Sequence, residues 1–243
     1  MEAMPAEKRR QYLATMGIQL WERRDMPGRE QDVQLTEPPA TAPAPAPAVK
    51  VTSTISALDW KELENRVASC TQCGLHAKRN RTVFGTGDKS ARWMVIGEAP
   101  GADEDRAGEP FVGRAGKLLN AMIRAAGCKR EEVFIANIVK CRPPGNRDPA
   151  EEEIAHCSAY LKRQIDLLQP MLILAAGRVA AQSLLHSDLP VGRLRGRIHH
   201  YGEAGIPLVV TYHPAYLLRS PEQKRKAWSD LQLALGVCAP GSG

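Results

Sequence analysis

Four short apolar runs, Trp93 to Ile96, Val133 to Val139, Met171 to Ala175 and Leu208 to Thr211, recur along the chain with helix-length stretches between them. Runs this short suit buried strands. Strands separated by helices of this length imply βαβ units, whose strands run parallel. The expectation is an α/β fold with a mostly parallel sheet, helices on both faces and ligands at the carboxyl ends of the strands. Helix punctuation supports it. One helix follows Gly113 and runs through Leu118, Leu119, Met122 and Ile123 to a stop at Gly127. Another starts at Asp148-Pro149 with Glu151, Glu152 and Glu153 in its first turn, where acidic side chains suit the helix dipole. The segment ALDWKELENRVASC reads as an earlier helix, with Ser56 as N-cap and Leu58, Leu63 and Val67 facing inward. No internal repeat is evident.

Ahead of these elements the composition changes. From about residue 36, TEPPATAPAPAPAV alternates proline and alanine and supports neither helix nor interior strand. It reads as a disordered, semi-rigid spacer extended at ~3.1 Å per residue. The 243 residues thus divide into a short N-terminal peptide at 1–30, a Pro/Ala-rich linker at 31–56 and one domain at 57–243. Thirty-three Lys and Arg against 27 Asp and Glu give a net charge of +6, which favours an anionic partner such as nucleic acid. No stretch of ~18 apolar residues is present to span a bilayer. MEAMPAEKRRQYLATM lacks the apolar core of a secretory signal. The expected location is the reducing bacterial cytoplasm, with the nucleoid.

In that setting six cysteines are not expected to form disulfides. Cys70 and Cys73 form a C-x2-C pair, Cys141 follows the second strand and Cys157 lies within a helix. A zinc ribbon would need a second C-x2-C pair, whereas two single cysteines suit a centre that pins loops to a helix. A [4Fe–4S] cluster is the first reading and zinc the second, with four small buried hydrophobes as the plain alternative. Cys128 and Cys238 read as free thiols.

The strand ends carry the remaining chemistry. Gly97, Pro100 and Gly101 form a turn at one carboxyl end, and Phe111 lies between glycines as either a core plug or a stacking platform. Asn137 closes an apolar strand, where its amide needs partners. His213 precedes Pro214 at the last strand end, with Leu217, Leu218 and Arg219 beyond. Each has a structural alternative: turn, buried amide, core histidine, helix core.

Taken in order, GEAPG, PFVGRAGKLL, NIVKCRPPGNRDP and HPAYLLR, with the four cysteines, resemble the family 4, iron–sulfur uracil-DNA glycosylases over roughly residues 57–236. The resemblance implies a three-layer αβα fold around a short parallel sheet, base flipping and hydrolytic removal of uracil from DNA. It implies uracil-binding roles for Phe111, Asn137, Gly97 and Ala99, Phe111 stacking on the base and Asn137 reading its edge. His213 would stabilise the departing uracil anion. Leu217, Leu218 and Arg219 would form the wedge that enters the duplex, with Arg114 and Asn146 also contacting DNA. Where the best-known uracil-DNA glycosylases carry a water-activating aspartate this chain has Ala99. Glu98 and Glu104 are the carboxylates left in the loop, and Glu104 is the preferred one for assisting water or stabilising the cation.

The N-terminal peptide suggests a second function class. YLATMGIQLWERR, within residues 8–24, resembles the N-terminal peptide of the psi subunit of the bacterial DNA polymerase III clamp loader. An apolar peptide on a proline-rich tether is the arrangement such docking requires. The alternative to a glycosylase is therefore a non-enzymatic replisome subunit built on the same fold, and the plain alternative for the peptide is an amphipathic helix folded back on the domain.

Overall fold

The computed structural model describes residues 55–238. The expectations for the peptide at 1–30 and for nearly all of the linker at 31–56 lie outside the described residues. Strands β1 (Thr86–Gly87), β2 (Trp93–Gly97), β3 (Phe134–Asn137), β4 (Leu172–Ala176), β5 (Ile198–Tyr201) and β6 (Ile206–Thr211) form one sheet in the order β1-β3-β2-β4-β6-β5. The four expected runs are its four inner strands, all parallel. Both edges are antiparallel additions that the apolar pattern does not announce. β1 has two residues, and β5 reads IHHY with alternate residues exposed.

Eight α-helices accompany the sheet among the described residues: α1 (Trp60–Ala68), α2 (Ala102–Ala107), α3 (Arg114–Ala125), α4 (Glu151–Leu168), α5 (Arg178–Leu185), α6 (Val191–Leu194), α7 (Pro214–Arg219) and α8 (Lys224–Cys238). Side chains alternate across each strand, so the sheet supplies two cores. Met94, Ile96, Phe134, Ile173 and Leu208 pack with α1, α4 and α5 on one face. Trp93, Val95, Ile135, Leu174 and Val209 pack with α3, α7 and α8 on the other. This is the three-layer αβα arrangement.

Local chemistry sets the helix ends. α1 begins later than expected, because Asp59 and not Ser56 caps it. The Asp59 carboxylate accepts the Glu62 N–H at 2.8 Å and Glu62 accepts the Asp59 N–H at 2.9 Å, a reciprocal capping box. Of its expected inward residues, Leu63 and Val67 are buried and Leu58 is half-buried. α3 ends as expected: Gly127, at φ +81°, and Cys128 donate to the carbonyls of Arg124 and Ile123.

A buried ion pair fastens α8 to the lead-in of β5. Asp230 is fully buried, and its carboxylate accepts two hydrogen bonds from the Arg195 guanidinium, at 2.8 and 3.0 Å. Arg195 also donates to the Lys226 carbonyl and lies over the Tyr212 ring. Truncating one partner leaves a buried charge alone, so Arg195→Met is expected to lower unfolding free energy by about 3–5 kcal/mol in a denaturant titration. The double variant with Asp230→Leu should recover most of that loss.

Candidate active site

The inner strands end together. β2 runs into Glu98, Ala99, Pro100 and Gly101, β3 stops at Asn137, β4 leads into Gly177, and β6 leads into Tyr212 and His213. These residues line one cavity of about 660 Å³ with Glu104, Phe111, Asn146, Asp148, Arg178 and Arg219. The chain leaves β2 for β3 on one side and continues to β4 on the other, so the cavity sits where the winding reverses.

Gly97 permits this geometry. A Cβ there would lie 2.5 Å from Asn137 Oδ1 and 2.6 Å from the Phe111 ring, distances no side chain can hold. Gly116 of α3 is as tightly confined, since a Cβ would lie 1.7 Å from the Phe111 carbonyl oxygen. Phe111 takes φ +55°, an uncommon conformation for a bulky residue. Arg130 holds it there, donating to the carbonyls of Pro110 at 2.6 Å and Phe111 at 3.4 Å and to Asn120 Oδ1 at 2.8 Å. The Phe111 ring lies 5.5 Å from the His213 ring, centroid to centroid, tilted by 31°.

Asn137 is 2 % exposed, and its Oδ1 has no hydrogen-bond partner within the protein. A buried acceptor left open beside an aromatic face is prepared for a donor from outside. His213 caps α7, where its Nδ1 accepts the Ala215 N–H at 3.1 Å. In the neutral ring that bond assigns the proton to Nε2. Burial, with Arg219 nearby, pushes the His213 pKa down to about 4 against the opposing pull of Glu104, so the ring is a neutral donor at physiological pH.

The two loop carboxylates stand differently. Glu104 Oε1 accepts the N–H groups of Val112 at 3.0 Å and Gly113 at 3.1 Å, and Oε2 accepts that of Gly101 at 3.1 Å. It is a brace between the first loop and the Phe111 segment, its oxygens already engaged. Glu98 faces Asp148, and burial followed by that like charge pushes its carboxyl up to about 7, with Arg178 opposing. Arg178 itself pairs with Asp148.

The wedge expectation needs correction at one position. Leu217 is 1 % exposed and belongs to the core beneath α7, because the face carrying Pro214 and Leu217 turns inward. Leu218 is half-buried, and Arg219 is exposed and lines the cavity. Arg114 lies exposed at the start of α3, outside the cavity lining. Asn146, at φ +54°, accepts from Arg142 Nε at 2.7 Å at the cavity wall.

Cys70, Cys73, Cys141 and Cys157 line a second, narrow space on the α1 and α4 side of the sheet, with His76, Arg79, Lys140, His156 and Tyr160. Arg79 Nη1 donates to Cys141 Sγ at 3.2 Å, and the Lys140 backbone N–H donates to Cys157 Sγ at 3.3 Å. Burial pushes the Cys157 thiol up to about 12 and raises Cys73 and Cys141 as well. Among the described residues, no three His, Cys, Asp or Glu side chains form a ready-made set around one ion. The donor set suits a thiolate-bound centre: four thiols on three separate segments, with N–H donors already aimed at two sulfurs. Cys128 and Cys238 are free thiols away from it.

Sequence reading missed Asp148, Arg178, Tyr212 and Tyr216 in the cavity wall, and Arg130, Lys140 and Gln164 behind it. Tyr212 and Tyr216 flank the expected histidine at helical spacing, and their rings pair at 5.1 Å, a signal available in YHPAY. Arg130 had none, since it lies in a charged surface stretch, KREE.

A cavity at the strand ends of an αβα sheet, with an aromatic shelf, an open buried amide oxygen and a neutral imidazole, defines a protein that holds a flat hydrogen-bonding ring such as a nucleobase. Residues 84–232 match the model of the uracil DNA glycosylase superfamily, and the chain belongs to it. It is 39 % identical to the type-4 uracil-DNA glycosylase of Archaeoglobus fulgidus, over 73 % of this chain and 92 % of that one. Identity to the type-4 enzyme of Pyrobaculum aerophilum is 40 %, over 74 % and 94 %. With that of Thermotoga maritima it is 42 %, over 71 % and 91 %.

The raised Glu98 carboxyl has a thermodynamic consequence. The folded state keeps a proton that the unfolded state releases, so this group's stabilisation is full below pH 4.5 and is lost as pH rises through about 7. In denaturant titrations across that window, Glu98→Gln should flatten the decline, and Asp148→Asn should move its midpoint to lower pH.

Proposed function

We propose that the protein is a uracil-DNA glycosylase that flips uracil out of DNA and hydrolyses its N-glycosidic bond. The observation that carries the reading is the open Asn137 Oδ1 beside the Phe111 ring. Uracil stacked on Phe111 presents N3–H to that oxygen and O4 to the Asn137 amide nitrogen. Cytosine presents the reverse pair, so it leaves buried groups unpaired. Gly97 and Ala99 leave room for the ring.

Bond cleavage builds negative charge on uracil and positive character on the sugar. His213 Nε2–H donates to the uracil oxygen that gains charge, and being neutral it does so at any pH above about 4. The fixed Glu104 carboxylate opposes the charge on the sugar. Glu98, whose oxygens are not tied to backbone N–H groups, is the better base for the attacking water, and its pKa of about 7 suits the task. Arg219 and Leu218 at the rim fill the space left in the duplex, with Asn146 and Arg114 toward the flanking phosphates.

Cys70, Cys73, Cys141 and Cys157 would hold a [4Fe–4S] cluster, which supplies a rigid link between α1, the end of β3 and α4. No step of base removal passes through it. The peptide at 1–30 and the linker at 31–56 are assigned on composition, with residues 8–24 as a docking peptide for a replisome partner such as the clamp loader and 57–243 as the catalytic domain. The expected setting is the bacterial cytoplasm at the nucleoid.

The test is strand scission by alkali after incubation with a uracil-containing oligonucleotide. His213→Ala is expected to lose roughly 10²–10³ in rate, the cost of one oxyanion donor. Asn137→Ala should lose excision with circular dichroism unchanged. Full excision by both variants would refute the site. Removal of residues 1–30 should leave excision intact while abolishing co-purification of clamp-loader proteins, and undiminished co-purification would refute the docking role.

A further inference from the structure

Lys140 is the most deeply buried cation among the described residues, at 1 % exposure, and the chemistry above leaves it without a task. Its ammonium donates to the Asn137 carbonyl at 2.9 Å and to Gln164 Oε1 at 2.6 Å. Gln164 in turn donates to the Phe84 carbonyl at 2.9 Å. All of these acceptors are neutral. No carboxylate pairs with Lys140 among the described residues, and the ionisable groups that bear on it are the Cys157 and Cys141 thiols. A buried ammonium with only dipoles around it is costly, and hydrogen bonds offset only part of that cost. The missing counter-charge lies in the adjoining thiol frame, which Lys140 also lines.

We infer that Lys140 is a positioning residue with two contacts: its charge is the internal counter-ion of the four-thiolate centre, and its ammonium anchors the backbone of Asn137, the residue that reads the base. The inference rests on the thiolate-centre reading above. Four cysteines ligating as thiolates make the region net negative, and Lys140 offsets that charge from within the core. The same ammonium fixes the carboxyl end of β3. Loss of the centre would leave the cation unmatched three residues from Asn137, so the integrity of the metal site and the geometry of the base pocket are linked through one side chain.

The experiment uses the full-length, iron-loaded protein and compares Lys140→Met, Gln164→Glu and Gln164→Leu with wild type. Reduction potential is read by voltammetry, and iron release to a ferrous chelator is timed. Lys140→Met removes the charge, and Gln164→Glu neutralises it in place. Both are expected to shift the potential to more negative values, and Lys140→Met to speed iron release by about 10–100-fold, the affinity loss usual for an outer-shell partner expressed in the off-rate. Gln164→Leu breaks the same network without altering charge and should keep the wild-type potential. Failure of both charge variants to hold iron while Gln164→Leu holds it also supports the inference. An unchanged potential in an iron-loaded Lys140→Met, or an equal shift or loss of iron in Gln164→Leu, would reduce Lys140 to packing and overturn it. An iron-free wild type would instead remove the cluster reading itself.

Discussion

The pocket depends on a missing atom. Without a side chain at Gly97, the end of β2 admits the Asn137 amide and the Phe111 ring into one space, and any Cβ would separate them. Gly116 does the same for the backbone of Phe111 from the other side, and Arg130 holds the segment against its unfavourable φ. An aromatic face and an open acceptor are thus brought together by what two positions lack.

Around that contact, charges are divided by how their lone pairs are used. Glu104 and Glu98 lie in one loop, yet Glu104 binds three backbone N–H groups while Glu98 is left against Asp148 with its pKa raised. The same residue type becomes a brace in one place and a carboxyl of raised pKa in the other. His213 follows the same logic: the backbone N–H that occupies Nδ1 leaves Nε2–H as its donor. Behind the pocket, the Lys140 ammonium joins the thiol frame to the strand that ends in Asn137, so the two sites share one element.

What the sequence made legible followed from periodicity and chain punctuation. The four inner strands lie within a residue or two of the apolar runs because buried parallel strands need apolar residues on both faces. Phe111, Asn137 and His213 were legible because each is an unusual residue for a strand end or its loop. Leu217 was not, since a leucine in a short helix points inward or outward according to how that helix lies on the sheet. The edge strands escaped notice because an edge that gains only one partner needs no apolar signature.

The sequence by itself therefore determined the layer order, the cysteine set and the residue types at the strand ends, all of which depend on local pattern and spacing. Tertiary structure alone decided which carboxylate is tied to backbone N–H groups, which leucine is core, and that Asp148 and Arg178 line the cavity with Lys140 behind it. These depend on distances between segments far apart in the chain. A pKa near 7 for one glutamate and about 4 for one histidine is a property of surroundings that no local pattern encodes.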